Sequence, residues 1–274
     1  MLPLVPVYWN NKINLAVLGL TLLVCGFIAD STSHGSIWSP YYRIDQKPLT
    51  SWYRGGAQLS TTYPLGTVIE VNHSHHQRTF NLSDAFMAQH PELRECNELR
   101  TYNMPYSAVP HPKNVLILGA GTGNDVAAAL RAKAEHIDAV EIDPAIFKLG
   151  KEIHPEHPYD SSHVTVHVED ARKFIASSTD KYDLVQFGHL DSQTALSTMS
   201  SVRLDNYLYT QESLAAATKH LTPDGVAVLG FAAQPDWLRA RLYQMVKSIS
   251  SDEPLAFDTQ FCSPNSIMLM WGLG

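Results

Sequence analysis

From Pro110 to the end of the chain, short wholly apolar stretches alternate with longer segments in which apolar residues return at helical spacing. Asn114–Leu118, Ile137–Ile142, Val164–Val168, Tyr182–Phe187, Val226–Phe231 and Ser266–Trp271 read as strands. Between them, Asn124–Ala132, Pro144–Ile153, a segment from Ala171, Gln211–Leu221 and Trp237–Ile249 read as helices. Pro144 sits where a first-turn proline is tolerated, and Thr222-Pro223-Asp224-Gly225 reads as the turn that stops a helix. Strands apolar on both faces, alternating with helices, predict an α/β fold: a doubly wound, mostly parallel sheet covered on both sides.

Residues 34–108 have a different pattern. Gly55-Gly56 and Pro64-Leu65-Gly66 punctuate β-like runs such as Thr67–Asn72 and Arg78–Leu82, and residues 84–101 are more helical. A small N-terminal β region is expected here, with a nucleoside-binding catalytic domain over 109–274. Residues 1–33 are different again. Ile13–Ala29 is almost unbroken apolar sequence, about 25 Å long as a helix against a hydrocarbon core of roughly 30 Å. Tyr8 and Trp9 before it suit an interface. A membrane anchor is the leading expectation. A signal peptide cleaved near Ala29 and Ser31, and a buried helix, are the alternatives. Lys12 stands alone on one side of the run, whereas Arg43, Lys47 and Arg54 follow it, which places the domain beyond it in the cytoplasm.

The chain has 274 residues and a net charge of −7 without a long basic run, which argues against nucleic acid as the main partner. Cys25, Cys96 and Cys262 lie far apart and suggest neither a disulfide framework nor a metal knuckle. His73, His75 and His76 lack a fitting Cys or carboxylate set, so a hydrated turn is expected there and no metal.

Candidate chemistry begins at Gly119-Ala120-Gly121-Thr122-Gly123, between the first core strand and its helix. Alternating glycines let a ligand approach the main chain, and the helix that follows aims its free N–H groups at the same place. The spacing does not fit G-x-G-x-x-G, and no Gly-Lys-Ser/Thr follows as in a P-loop. Glu141, at the end of the second core strand, lies about 20 residues past the glycines, where a carboxylate can accept from both ribose hydroxyls. Asp170, after the third strand, can accept from an adenine amino group or cap the next helix. Together these features point to an adenosyl cofactor of the S-adenosylmethionine type.

These stretches, together with Tyr182-Asp183-Leu184-Val185 and Leu208-Tyr209-Thr210-Gln211-Glu212-Ser213, resemble the spermidine synthase family, polyamine aminopropyltransferases on the class I methyltransferase fold. Val71-Asn72 followed by His76-Gln77 resembles the hairpin that supplies a cofactor-contacting Gln, here Gln77. Ser39-Pro40-Tyr41-Tyr42-Arg43-Ile44 after an apolar segment resembles the membrane-associated bacterial branch. The resemblance implies a cofactor held by Gly119, Gly121, Gly123, Glu141, Asp170 and Gln77, a polyamine-like small-molecule acceptor, and self-association as an open option.

Two positions depart from the family pattern. The Gly-rich turn carries Thr122 where the family has an Asp that faces the donor's amine, and Gly188-His189-Leu190-Asp191 lacks the first Asp of the family's Asp-x-x-Asp. Asp191 matches the second, and His189 beside it is a candidate general base; these two are the catalytic candidates. Loss of a carboxylate beside the cofactor tail relieves repulsion against intact S-adenosylmethionine. Methyl transfer to a small molecule is therefore slightly favoured. Aminopropyl transfer from decarboxylated S-adenosylmethionine to a polyamine is the alternative, and a non-catalytic membrane-bound nucleoside sensor is the third reading.

Overall fold

The computed structural model describes residues 12–33, 35–54, 57–188, 208–232, 235–259 and 266–272. The chain divides into two compact units, Met1–Ile37 and Trp38–Gly274.

The first unit contains a 22-residue helix, α1 (Lys12–Ser33). Its apolar side chains are exposed on several sides, with Ile13, Leu23 and Phe27 each at 74 %. The expected spanning anchor is nonetheless corrected: among the described residues no helix is long and apolar enough to cross a membrane. The apolar run is closed by Lys12 and Asp30. Its rise of about 25 Å falls short of a hydrocarbon core of ~30 Å.

β1 (Ile37–Trp38), β2 (Arg43–Leu49), β5 (Gly66–Val71) and β6 (Ser74–Phe80) form one small sheet in the order β1-β2-β5-β6. The β2–β5 and β5–β6 pairs are antiparallel. A separate two-stranded ribbon joins β3 (Ser51–Arg54) to β4 (Ala57–Ser60). Asn72 and His73 link β5 to β6 with φ of 49° and 65°, the left-handed geometry a tight hairpin requires. The helical stretch expected over 84–101 is broken by Pro91. It forms α2 (Asp84–Gln89), a 3-10 turn at Pro91–Glu95, and α3 (Asn97–Ala108).

The core follows the alternation read from the sequence. The strands are β7 (Asn114–Leu118), β8 (His136–Glu141), β9 (Val164–Val168), β10 (Tyr182–Phe187), β11 (Leu221–Ala232), β12 (Leu255–Thr259) and β13 (Ser266–Trp271). They form a seven-stranded sheet in the order β12-β13-β11-β10-β7-β8-β9. The central neighbours are parallel, and β13 runs antiparallel to both β11 and β12. The helices are α4 (Asn124–Arg131), α5 (Pro144–Ile153), α6 (Ala171–Ser177), α7 (Gln211–Thr218) and α8 (Asp236–Lys247).

Period-two alternation sorts the strands into two cores. Val115, Ile117, Ile137, Leu184 and Val228 face α4 and the tyrosines of α3. Leu116, Leu118, Val140, Val185 and Leu229 face Phe174, Leu214 and Leu242 on the other side. The architecture is the predicted doubly wound one. One local expectation fails: Thr222–Gly225 lies within β11 as an irregularity in its pairing with β10 instead of ending a helix, and α7 stops at Thr218.

Candidate active site

The sheet order places β9, β8, β7 and β10 side by side and parallel, so their C-terminal ends share one edge. The Gly-rich turn, Glu141, Asp170 and Gly188 all follow or end these strands. That edge is where ligands bind in open α/β sheets.

Gly119, Gly121 and Gly123 all have positive φ, at 78°, 57° and 107°. The turn is held from two sides. Glu141 accepts from Gly121 N–H at 2.8 Å through Oε2 and from Asp143 N–H at 2.9 Å through Oε1. Burial raises its pKa, and those backbone donors oppose the rise. From the hairpin side, Gln77 Oε1 accepts from both Thr122 N–H at 3.0 Å and Thr122 Oγ1–H at 2.9 Å. A Cβ at residue 121 would lie 2.6 Å from that Gln77 oxygen, the far end of a flexible side chain, and the φ of 57° favours glycine there. Gly119, Gly121, Gly123, Glu141 and Gln77 thus lie together at one turn.

Asp170 behaves as a helix cap. Its exposed side chain takes N–H bonds from Arg172 at 2.9 Å and Lys173 at 3.0 Å at the start of α6. His189, Asp191, Cys262 and the polar loop 197–207 lie outside the described residues. His73 faces Arg43, with its Nε2 3.2 Å from the guanidinium. His75 and His76 are held neutral, each pushed down to about 4, chiefly by burial.

Several residues that sequence reasoning passed over carry the site's geometry. Asn124, the first residue of α4, uses all its polar capacity. Its oxygen accepts from Phe80 N–H and faces His154 Nε2, each at 3.1 Å, while its amide donates to Tyr102 Oη at 3.0 Å and to the Arg78 carbonyl. Tyr159 Oη donates to the Gly121 carbonyl at 2.7 Å. Gln186 on β10 donates from Nε2 to Asp125 Oδ1 at 2.6 Å. A cavity at the Gly-rich turn is lined by Gln77, Tyr102, Gly119, Asn124 and Asp125, among others. Asn124 through Ala129 are all buried, so Asp125 is an acid in an otherwise enclosed helix turn.

A model of the spermine/spermidine synthase domain matches residues 100–271. The chain belongs to the spermine/spermidine synthase family. Within that family, it is 37 % identical over 86 residues to a polyamine aminopropyltransferase of Clostridium perfringens, a match covering 30 % of each chain. It is 33 % identical over 124 residues to polyamine aminopropyltransferase 2 of Bacillus cereus, covering 43 % of this chain and 31 % of that one. The matched stretches therefore span only about a third of these relatives' lengths. Among solved structures, spermidine synthase from Thermotoga maritima superposes with a TM-score of 0.57 at 18 % identity, over 87 % of this chain and 72 % of that one. A spermidine synthase bound to the transition-state analogue AdoDATO gives a TM-score of 0.58 at 16 % identity, with the same coverage. These likenesses establish the class I methyltransferase-like α/β fold.

Proposed function

We propose that this chain transfers an aminopropyl group from decarboxylated S-adenosylmethionine to a polyamine. The observation that carries the reading is the Gly119–Gly123 turn with the Glu141 carboxylate held against it, in a chain of the spermine/spermidine synthase family. Methyl transfer, slightly favoured from the departures at Thr122 and Gly188, gives way because the family match and the relatives named as aminopropyltransferases support the alternative better.

In this reading Glu141 accepts from the ribose hydroxyls with the lone pairs not used by Gly121 and Asp143, and Asp170 reaches adenine with the carboxylate oxygen that caps nothing. Gln77 spends its oxygen on Thr122 and keeps its amide donor for the ligand. The acceptor's amine attacks the aminopropyl carbon next to sulfur, the C–S bond breaks, and the thioether nucleoside leaves. The amine's proton passes to Asp191 or His189. Most of the rate comes from in-line positioning.

The test is product analysis with labelled donors. Decarboxylated donor plus a linear diamine should give the longer polyamine and methylthioadenosine. Methylated product and S-adenosylhomocysteine from the intact donor would restore the methyl-transfer reading, and tight binding without turnover would favour a sensor.

The proposal extends to location: membrane-associated, with the folded unit on the cytoplasmic side. The exposed apolar surface of α1 supports it. Recovery of the full chain in the soluble fraction without detergent would count against it.

A further inference from the structure

Family membership leaves one question open at this site. Thr122 is neutral, and its hydroxyl and N–H are both committed to Gln77, so nothing in the Gly-rich turn itself attracts a cation. Three residues further on, Asp125 is 6 % exposed and lines the cavity at the turn. Gln186 holds its Oδ1 at 2.6 Å. Among the described residues, the buried side-chain atoms without partners include Oε1 of that same Gln186 amide, Tyr106 Oη, and Nε and Nη2 of Arg131. The Asp125 charge acts on Tyr106, raising its pKa alongside burial.

Two arginines line the cavity or act on Asp125, and each also faces an acid of its own. Arg131 is the cation whose field reaches Asp125, and its Nη1 is bound to both oxygens of Glu156 at 2.7 Å. Arg78, which also lines the cavity, faces Glu98 at 3.8 Å and lies over the Tyr53 ring. His75 and His76 are neutral at physiological pH. A carboxylate so placed is costly unless a cation joins it. A primary ammonium carries three N–H donors and a positive charge, and the Asp125 carboxylate is the acidic group that lines the cavity.

We infer that Asp125, with Gln186 and Tyr106 beside it, is the amine-recognition element of this site and replaces the carboxylate missing at Thr122. The inference rests on the proposed aminopropyl transfer and adds the residue that reads the substrate's charge. The ammonium belongs either to the donor's aminopropyl tail or to the acceptor. The chemistry is the same in both cases, and the test separates them.

The experiment is calorimetry on the full chain and on Asp125→Asn, which keeps the shape and the bond from Gln186 but removes the charge. Three ligands are titrated: methylthioadenosine, decarboxylated S-adenosylmethionine, and a linear diamine with and without methylthioadenosine. In Asp125→Asn, methylthioadenosine should bind within twofold of the natural protein, whereas either the decarboxylated donor or the diamine should weaken at least tenfold. Loss on the donor assigns the tail; loss on the diamine assigns the acceptor.

Tyr106→Phe, which deletes only an unpartnered hydroxyl, should weaken the same ligand about threefold while leaving thermal stability unchanged. It keeps the question open to refutation if Asp125→Asn does not fold. Unchanged affinity for both amines in Asp125→Asn, or in Tyr106→Phe where only that variant folds, overturns the inference. A natural protein that binds no amine overturns it as well. Failure of methylthioadenosine to bind the natural protein counts instead against the proposed function.

Discussion

The two halves of the candidate site treat their polar groups in opposite ways. On the side of β7 and β8, the polar atoms that shape the turn have partners inside the protein: both Glu141 oxygens hold backbone N–H groups, Thr122 is closed by Gln77, and Asn124 serves four neighbours. On the side of β10, Gln186 Oε1 and Tyr106 Oη are buried without partners beside a carboxyl whose pKa burial pushes up to about 7. Satisfied groups fix a shape before any ligand arrives. Unsatisfied ones raise the energy of the empty protein and gain when a matching ligand enters. The first half is built as a rigid cradle and the second as a charge sensor.

The largest effect should come from breaking the cradle. Asn124→Leu strands Phe80 N–H and His154 Nε2 at once, and each unpaired buried group costs about 1–3 kcal/mol. Urea unfolding should show a loss of ~3 kcal/mol, and a loss below ~1 kcal/mol would mean that the network holds little together.

Next in size is an acid sensitivity. Burial lowers His154 to about 3 and His75 and His76 to about 4, below the ordinary value of 6.5. The folded protein therefore binds fewer protons than the unfolded chain, so stability is intact above pH 6.5 and falls as the pH drops toward 4. Asp125 works the other way. Its carboxyl rises from 3.8 to about 7 in the fold, so its contribution is intact below pH 3.8 and is lost as the pH climbs through 7. Thermal unfolding of Asp125→Asn should show higher stability than the natural protein at pH 8, by ~1–2 kcal/mol, and a vanishing difference near pH 4. A difference that does not change with pH would show that the charge is not buried at a cost.

Glu141→Ala sharpens the comparison from the ligand side. Calorimetry with methylthioadenosine should show a loss of ~1–2 kcal/mol, about tenfold in affinity, because hydrogen bonds to an ionised acceptor disappear. Asp170→Ala should show the smallest effect. Removing the cap of α6 costs ~1 kcal/mol of stability by thermal unfolding. An accompanying fall in nucleoside affinity would give Asp170 its second role at adenine.

How far the sequence foretold this contrast depended on where each signal lay. The cradle was legible because strand, glycines and acidic strand end fall at fixed offsets along the chain, so Gly119, Gly121 and Glu141 announce themselves locally. The sensor was not, because Asp125 and Gln186 are 61 residues apart and meet only when β10 packs beside β7. Polar residues inside an otherwise apolar helix and strand were the available hint, and periodicity treats such residues as noise. The same limit hid the Thr222–Gly225 irregularity: Thr-Pro-Asp-Gly has turn chemistry wherever it occurs, and only pairing with Tyr182 and Leu184 shows that the strand passes through it. The apolar run was read correctly as a helix.

Gly188 has a consequence for anyone redesigning this protein. A Cβ there would sit 2.4 Å from the Gly119 carbonyl oxygen, and the Gly188 carbonyl itself accepts from Tyr209 Oη at 3.1 Å. Grafting the relatives' Asp onto position 188 is therefore not a one-step exchange of a side chain. The strand end would have to retreat from the Gly-rich turn, loosening the cradle while the acid was being installed. A designer, or an evolving lineage, would meet less resistance placing new acidity on the α4 side, where Asp125 already stands.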